Sequence, residues 1–331
     1  MTSTLESPTA ASFDPREIID HPSGFLALSA KNRRFSAPGL PGFIAYRERG
    51  RHFVSLGGVY AADEARGLLL DGFLTLAKRR LRRVIALQVR QDQTELFRRR
   101  GFTVNRFGAS YAVRLPGFSC AGTRRMRLRQ KVKRARDVGL RVLEVGKELP
   151  ADGTMFNRLR EVSDAWLRAK HKKEIDFMIG ELGAPGDPQR RIFVTNDPTG
   201  RMVGFITYVP VWGRRPGYLH DLTRRLPDAP PGAMELCNLH AMERLAVEGA
   251  EYLHFGFTPF VVDGEEGPAA SRALAWVMRM LWRYGEAIYP AQSQVCYKLK
   301  WAPEVVEPEF IACRPLSLRA VLDLLLLTRS I

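Results

Sequence analysis

Polar residues able to do chemistry concentrate in one stretch of this chain, His220 to Glu235, which reads HDLTRRLPDAPPGAME. Asp221 and Arg224 fall at the end of a strand-like segment, Asp228 lies in a proline-rich loop, and Gly232 opens a helix-like run. A carboxylate can take a proton, and a guanidinium can steady developing negative charge. Three prolines and a glycine hold such a loop rigidly, which suits the positioning of polar side chains at a site. The competing reading is a helix-entry loop in which Asp228 is a local cap. His220 and His240 could each shuttle protons, but a single histidine is more often structural, and both stay outside the catalytic set.

Other sources of chemistry are missing. The chain has no phosphate-binding P-loop, no GxGxxG between a strand and a helix, no HExxH and no GxSxG elbow. Its six histidines do not pair at metal-ligand spacing, so no metal is expected. Cys120, Cys237, Cys296 and Cys313 are scattered, without a CxxC pair, and read as buried reduced thiols of a cytoplasmic protein. Lys and Arg outnumber Asp and Glu by 51 to 35, a formal charge of +16. That excess speaks of a polyanionic partner, either a nucleic acid or an anionic membrane face.

No apolar run approaches the roughly 18 residues a membrane span needs. The tail from Leu316 to Ile331 comes nearest but is interrupted by Arg319, Asp323 and Arg329. Its Leu318, Val321, Leu322, Leu325 and Leu326 can form one apolar face, for peripheral contact with the inner face of the plasma membrane or for docking on the rest of the protein. Residues 1–22 are polar and read as a flexible N-terminus without a leader.

Around these segments, strand and helix periods alternate twice. In the first half, Gly42–Glu48 and His52–Leu56 form a hairpin, followed by a helix over Ala61–Arg80 and a strand over Arg83–Val89. A helix over Asp92–Arg100, stopped by Gly101, and a strand over Tyr111–Leu115 complete it. Arg124–Arg141 then carries nine basic residues against one acid and reads as a connecting helix. In the second half, a helix over Met155–Lys170 leads to strands Arg191–Val194, Met202–Val209 and Gly217–Leu222. Helix Ala233–Val247, strand Tyr252–Phe255, helix Ala269–Arg283 and a last strand Gln294–Leu299 follow. The expected fold is α+β, a tandem pair of similar domains: 23–118 and 149–315, joined by the basic linker 119–148 and closed by an apolar helix over 316–331.

The run Leu96–Phe102, LFRRRGF, resembles an element of the Gcn5-related N-acetyltransferase fold. Neither half has the Gly-rich turn that would present backbone N–H groups to a coenzyme A pyrophosphate. The fold is therefore expected with a different acyl donor.

Asp221–Glu235 is similar to the signature D-L-M-R-x-R-P-D-A-P-x-G-x-M-[DE] of the aminoacyl-phosphatidylglycerol synthases, with matches at Asp221, Leu222, Arg224, Pro227, Asp228, Ala229, Pro230, Gly232, Met234 and Glu235. Phe177–Gly180, Met202–Phe205, Phe255–Pro259 and Tyr297–Trp301 resemble further landmarks of that family, in order, and Leu128–Gly139 resembles its linker helix. The likeness covers about 290 residues and departs from the family at Pro303–Phe310, where an arginine is replaced by Glu309.

That resemblance implies a tRNA-dependent aminoacyltransferase that needs no cofactor beyond the charged tRNA. Its acceptor would be a hydroxyl of phosphatidylglycerol or a related anionic lipid. Asp221 would bind the aminoacyl ammonium or act as base, Arg224 would hold a phosphate, and Asp228 would orient Arg224. Gly232, Glu235, Lys298 and Lys300 would bind substrate, with the two lysines contacting phosphate. Arg127, Arg129, Lys131, Lys133 and Arg134 would contact tRNA phosphates. Transfer to a soluble acceptor is the alternative, and a coenzyme A-dependent or non-catalytic protein of the same fold is the third.

Overall fold

The computed structural model describes residues 14–170, 180–185, 187–262, 270–287 and 289–314, together with Asp323 and Leu327. Two short helices, α1 (Pro15–Ile18) and α2 (Gly24–Ala27), precede the strands β1 (Arg33–Ala37), β2 (Leu40–Arg49), β3 (His52–Leu56) and β4 (Tyr60–Ala61). Helix α3 (Asp63–Arg79), β5 (Arg83–Arg90), α4 (Thr94–Arg98) and β6 (Thr103–Arg114) finish the first half. The linker is α5 (Met126–Asp137). The second half runs β7 (Arg141–Glu144), α6 (Gly153–Lys170), β8 (Arg191–Asn196), β9 (Met202–Val211), β10 (Gly217–Arg225), α7 (Ala233–Val247) and β11 (Tyr252–Pro259). It ends with α8 (Arg272–Tyr284), α9 (Ala291–Leu299) and β12 (Val305–Cys313).

One twisted sheet carries the whole α+β molecule, in the order β1-β2-β3-β5-β12-β6-β11-β10-β9-β8-β7. Each half contributes a strand–helix–parallel strand unit: β3–α3–β5 and β10–α7–β11. The last strands are exchanged between halves. β6 of the first half pairs with β11 of the second, and β12 of the second lies between β5 and β6 of the first. The exchange removes two free edges from the middle of the sheet.

Apolar spacing explains the helices that cover it. In α5, only Leu128, Val132 and Ala135 are apolar and buried, one stripe at i, i+4, i+7. They enter the same core as Ala233, Cys237 and Ala241 of α7. A single stripe suffices to dock a helix whose other faces are cationic. On the opposite face of the sheet, Leu274 and Met278 of α8 join Leu26, Val209, Leu219 and Ile311.

Two segments differ from expectation. Gln294–Leu299 is not a strand but the end of α9. Val295, Tyr297 and Leu299 alternate as a strand would, yet helical rotation turns Lys298 inward and leaves Leu299 53% exposed. Pro303–Phe310, noted as a departure from the family motif and given no element, leads into a central strand, Val305–Cys313. Its Pro308 is tolerated because β12 pairs there with β6 alone, β5 joining only from Glu309 onward.

The chain before residue 23 is held in place from Asp14 onward, which caps α1 through the Arg16 N–H, and Ile19 and His21 are buried. Of the four cysteines, Cys237 and Cys313 are buried, whereas Cys296 is exposed. The expected helix over 316–331 lies outside the described residues except at two points. There, Asp323 accepts from His52 Nδ1 at 2.7 Å and Leu327 packs on the α8 core, so the tail touches the first half. No helix among the described residues is long and apolar enough to cross a membrane.

Candidate functional site

A bulge in β10 decides which residues meet. His220 pairs with Tyr208 of β9 and Leu222 with its neighbour Thr207, leaving Asp221 as the extra residue. Strict alternation would send Asp221 and Arg224 to opposite faces. The bulge shifts the count, so Leu222 packs on Met155, Phe156 and Leu159 of α6. Arg224 follows it onto that side and reaches Ser163 and Trp166 of the same helix.

Asp221 is buried, and its Oδ2 accepts from Arg190 Nη1 at 2.6 Å. The two side chains are 1% and 7% exposed. Burial raises the carboxyl above its ordinary value, while the charge and hydrogen bond of Arg190 pull it back, helped by the Gly180 N–H and the Arg224 charge. Gly180 is needed here, since any Cβ would lie 1.7 Å from Asp221 Oδ2. Arg190 and Gly180 form one wall of a cavity of about 200 Å³, completed by Phe25 and Leu26 of α2, Ser29, Arg47 and Glu181. Asp221 therefore stands behind Arg190, one layer back from the cavity.

Arg224 is equally buried. Its guanidinium lies 4.3 Å from the Trp166 ring centroid, Nε donates to Ser163 Oγ at 3.2 Å and Nη1 to the Thr223 carbonyl at 3.0 Å. Asp228, expected to orient it, is instead an exposed residue in a two-point pair with Arg201, at 2.9 and 3.2 Å. That pairing holds the Asp228 carboxyl below its usual range.

Glu235, Lys131 and Lys300 come together as a triad. Glu235 Oε1 accepts from Lys131 Nζ at 2.9 Å and from Lys300 Nζ at 3.2 Å. Burial pushes the Glu235 carboxyl up, but the two ammonium groups prevail and leave it below its normal value. Gly232 serves the same junction. Its φ is +91°, and a Cβ there would lie 2.2 Å from the Lys131 carbonyl oxygen, so only glycine lets α5 cross the start of α7 this closely.

Lys298, expected to contact phosphate, points inward. All three of its donors are used internally, on the carbonyls of Gly256 and Phe257 and on Thr258 Oγ1, at 2.7 to 3.1 Å. Burial lowers it to about 7, and the same burial raises Glu309 to about 8 despite its bond from Ser110. On α5, Arg127, Lys133 and Arg134 are exposed, whereas Arg129 also braces the carbonyls of Cys120 and Gly122.

The sequence model of a family described as the C-terminal part of phosphatidylglycerol lysyltransferase matches residues 15–313. The chain belongs to this family. A Nocardia farcinica protein named as a bifunctional protein of lysylphosphatidylglycerol biosynthesis is 26% identical over 318 residues, 92% of this chain. The chain spans only 27% of that relative's length. Two solved structures share the fold, each covering 94% of this chain with a TM-score of 0.76. One is the C-terminal domain of a protein described as a lysylphosphatidylglycerol synthetase from Agrobacterium fabrum, 21% identical over 94% of that chain. The other is L-PGS from Bacillus licheniformis, 23% identical over 92% of that chain.

Seen within the family, the signature segment spans separate environments: Asp221 behind Arg190, Arg224 against α6, Asp228 at the surface, and Gly232 with Glu235 under α5. Several neighbours of these residues escape sequence reasoning. Arg190 is one of many arginines, and Ser163 and Trp166 sit on a helix that reads as ordinary amphipathic. His220 is fixed on the other face by Asn238 at 3.0 Å and by Thr223, and Tyr208 donates to the same Asn238 at 2.7 Å. Burial lowers His220 to about 3, so it is neutral at physiological pH. A His–Asn–Tyr set distributed over Tyr208, His220 and Asn238 leaves no local pattern to find.

Proposed function

We propose that this chain transfers an aminoacyl group from charged tRNA to a hydroxyl of phosphatidylglycerol or a related anionic lipid. Membership of the family carries the reading, with the bulge that gathers Asp221, Arg190 and Arg224 on one side of β10 as its structural support. The reaction exchanges one ester for another. The acceptor hydroxyl oxygen bonds to the aminoacyl carbonyl carbon, the bond to the terminal ribose oxygen breaks, and the proton passes from acceptor to ribose. Such an exchange is nearly balanced and needs no further energy source.

Electrostatic stabilisation of the carbonyl oxygen in the transition state is the main demand. Arg190, on the cavity wall, is placed to supply it, with Asp221 fixing its orientation from behind. Arg224, stacked on Trp166, adds positive charge to the same region. The cationic outer faces of α5, chiefly Arg127, Lys133 and Arg134, suit the phosphates of tRNA, while Lys131 and Lys300 hold α5 to α7 through Glu235. A cavity of about 200 Å³ suits an aminoacyl group or a lipid headgroup, not a whole lipid.

The test uses purified protein, tRNA charged with one labelled amino acid at a time, and phosphatidylglycerol vesicles. Label should enter the organic extract, and the amino acid that does so is thereby named. Asp221→Ala and Arg224→Ala should each abolish transfer while the circular dichroism spectrum is kept. Near-normal turnover in either variant would remove that residue from the site. Label recovered only in small water-soluble products would move the acceptor out of the lipid class.

A further inference from the structure

Helix α8 presents an unusual outer face. Its inner side, Leu274, Ala275 and Met278, is buried. Its outer side carries Arg272, Trp276, Arg279, Met280 and Arg283, the i, i+4, i+7, i+8, i+11 positions of one helical stripe, with Tyr284 beside them. Trp276 is 58% and Tyr284 70% exposed. None of the three arginines has a carboxylate within 4 Å among the described residues; Arg283 lies 5.7 Å from the Tyr284 ring centroid. The helix is also held firmly. Ser271 Oγ caps it at the Leu274 N–H, and Ser271 exchanges two backbone hydrogen bonds of 3.0 Å with the Asn105 side chain of β6.

We propose that this outer face is a docking surface for an anionic lipid bilayer, with Trp276 as the apolar anchor and the three arginines as contacts to lipid phosphates. Exposed cations flanking an exposed indole suit the bilayer interface, where an aromatic ring sits at headgroup depth and arginine meets phosphate. The other cationic helix, α5, has no exposed aromatic residue, so charge alone is available there. Position agrees with chemistry. Leu274 and Met278 share one apolar cluster with Phe25 and Leu26, which line the cavity beside Arg190. The α8 face and the cavity wall thus rest on one apolar cluster. The assignment rests on the lipid-acceptor reading for its purpose, but not for its measurement.

Co-sedimentation of the full chain with vesicles, without tRNA, tests it. The protein should sediment with vesicles of phosphatidylcholine mixed with phosphatidylglycerol, and not with phosphatidylcholine alone. Arg279→Glu combined with Arg283→Glu should weaken that association on the order of 25-fold or more, since each arginine at an anionic leaflet is worth roughly five-fold. Trp276→Ser should weaken it as well, with the unfolding midpoint of both variants unchanged. Reversing Arg127 and Arg134 on α5 should leave vesicle binding as it was. Wild-type binding by the α8 variants would overturn the proposal, as would a loss of tRNA binding in them with vesicle binding intact. Transfer to phosphatidylglycerol dispersed as a short-chain soluble form separates the two readings. If α8 variants lose vesicles but keep this transfer, docking and reaction are both upheld. If no protein, wild type included, transfers to it, the reaction falls while the docking surface stands.

Discussion

Replacing Arg190 by methionine tests the reasoning about the site most directly. Its partner Asp221 is 1% exposed and Arg190 itself 7%, so solvent cannot compensate for the lost guanidinium. Removing one member of such a pair leaves a buried carboxyl unpaired, at a cost of about 3–5 kcal/mol near neutral pH. The pH dependence has a definite sign. Burial already raises the Asp221 carboxyl above its ordinary value, with Arg190 as the largest opposing influence. An acid whose folded value is raised binds its proton more tightly when folded, so its contribution to stability falls as pH climbs from the unfolded value to the folded one. Without Arg190 the folded value rises further and that window extends upward. The deficit of Arg190→Met should therefore be large at about pH 7.5 and shrink towards about pH 3, below the unfolded value, where Asp221 is largely protonated in both states. Urea unfolding at the two pH values measures it. Adding Asp221→Asn should return about 3 kcal/mol at neutral pH, because the second change removes the charge that the first left stranded. A deficit equal at both pH values, or a double variant no more stable than the sum of the single losses, would refute the pair as a coupled unit. Transfer should fall in Arg190→Met and recover in part in Arg190→Lys, which restores the charge without the planar guanidinium.

Gly232→Ala should cost about 2–4 kcal/mol in urea unfolding, from its left-handed φ and the contact with the Lys131 carbonyl. A loss below 0.5 kcal/mol, on the order of an ordinary surface change, would mean that α5 does not cross α7 so closely. Arg127→Glu with Arg134→Glu should weaken tRNA binding and reduce the slope of log K against log salt by about 2. An unchanged salt titration would take α5 out of the tRNA contact.

What the sequence determined by itself is local. The hairpin Gly42–Leu56, the helix Ala233–Val247 and the cationic linker helix follow from period and composition, because each is specified by neighbours within a few residues. The segment Asp221–Glu235 also announces itself, since its prolines, glycine and charges are contiguous. Tertiary structure alone decided the rest. The bulge at Asp221 depends on how β9 and β10 align, and it determines that Arg224 shares a side with Asp221. Arg190 becomes special only because folding buries it against a carboxylate 31 residues away. Lys298 and Lys300 look alike in sequence, yet the helical turn of α9 points one into the core and the other to Glu235. Residues 305–313, with a proline and two glutamates, receive no element from the sequence pattern and become a strand because β5 and β6 supply hydrogen-bonding edges on both sides. In each case the deciding energy comes from partners remote along the chain, where burial and pairing override the preference of the residues themselves.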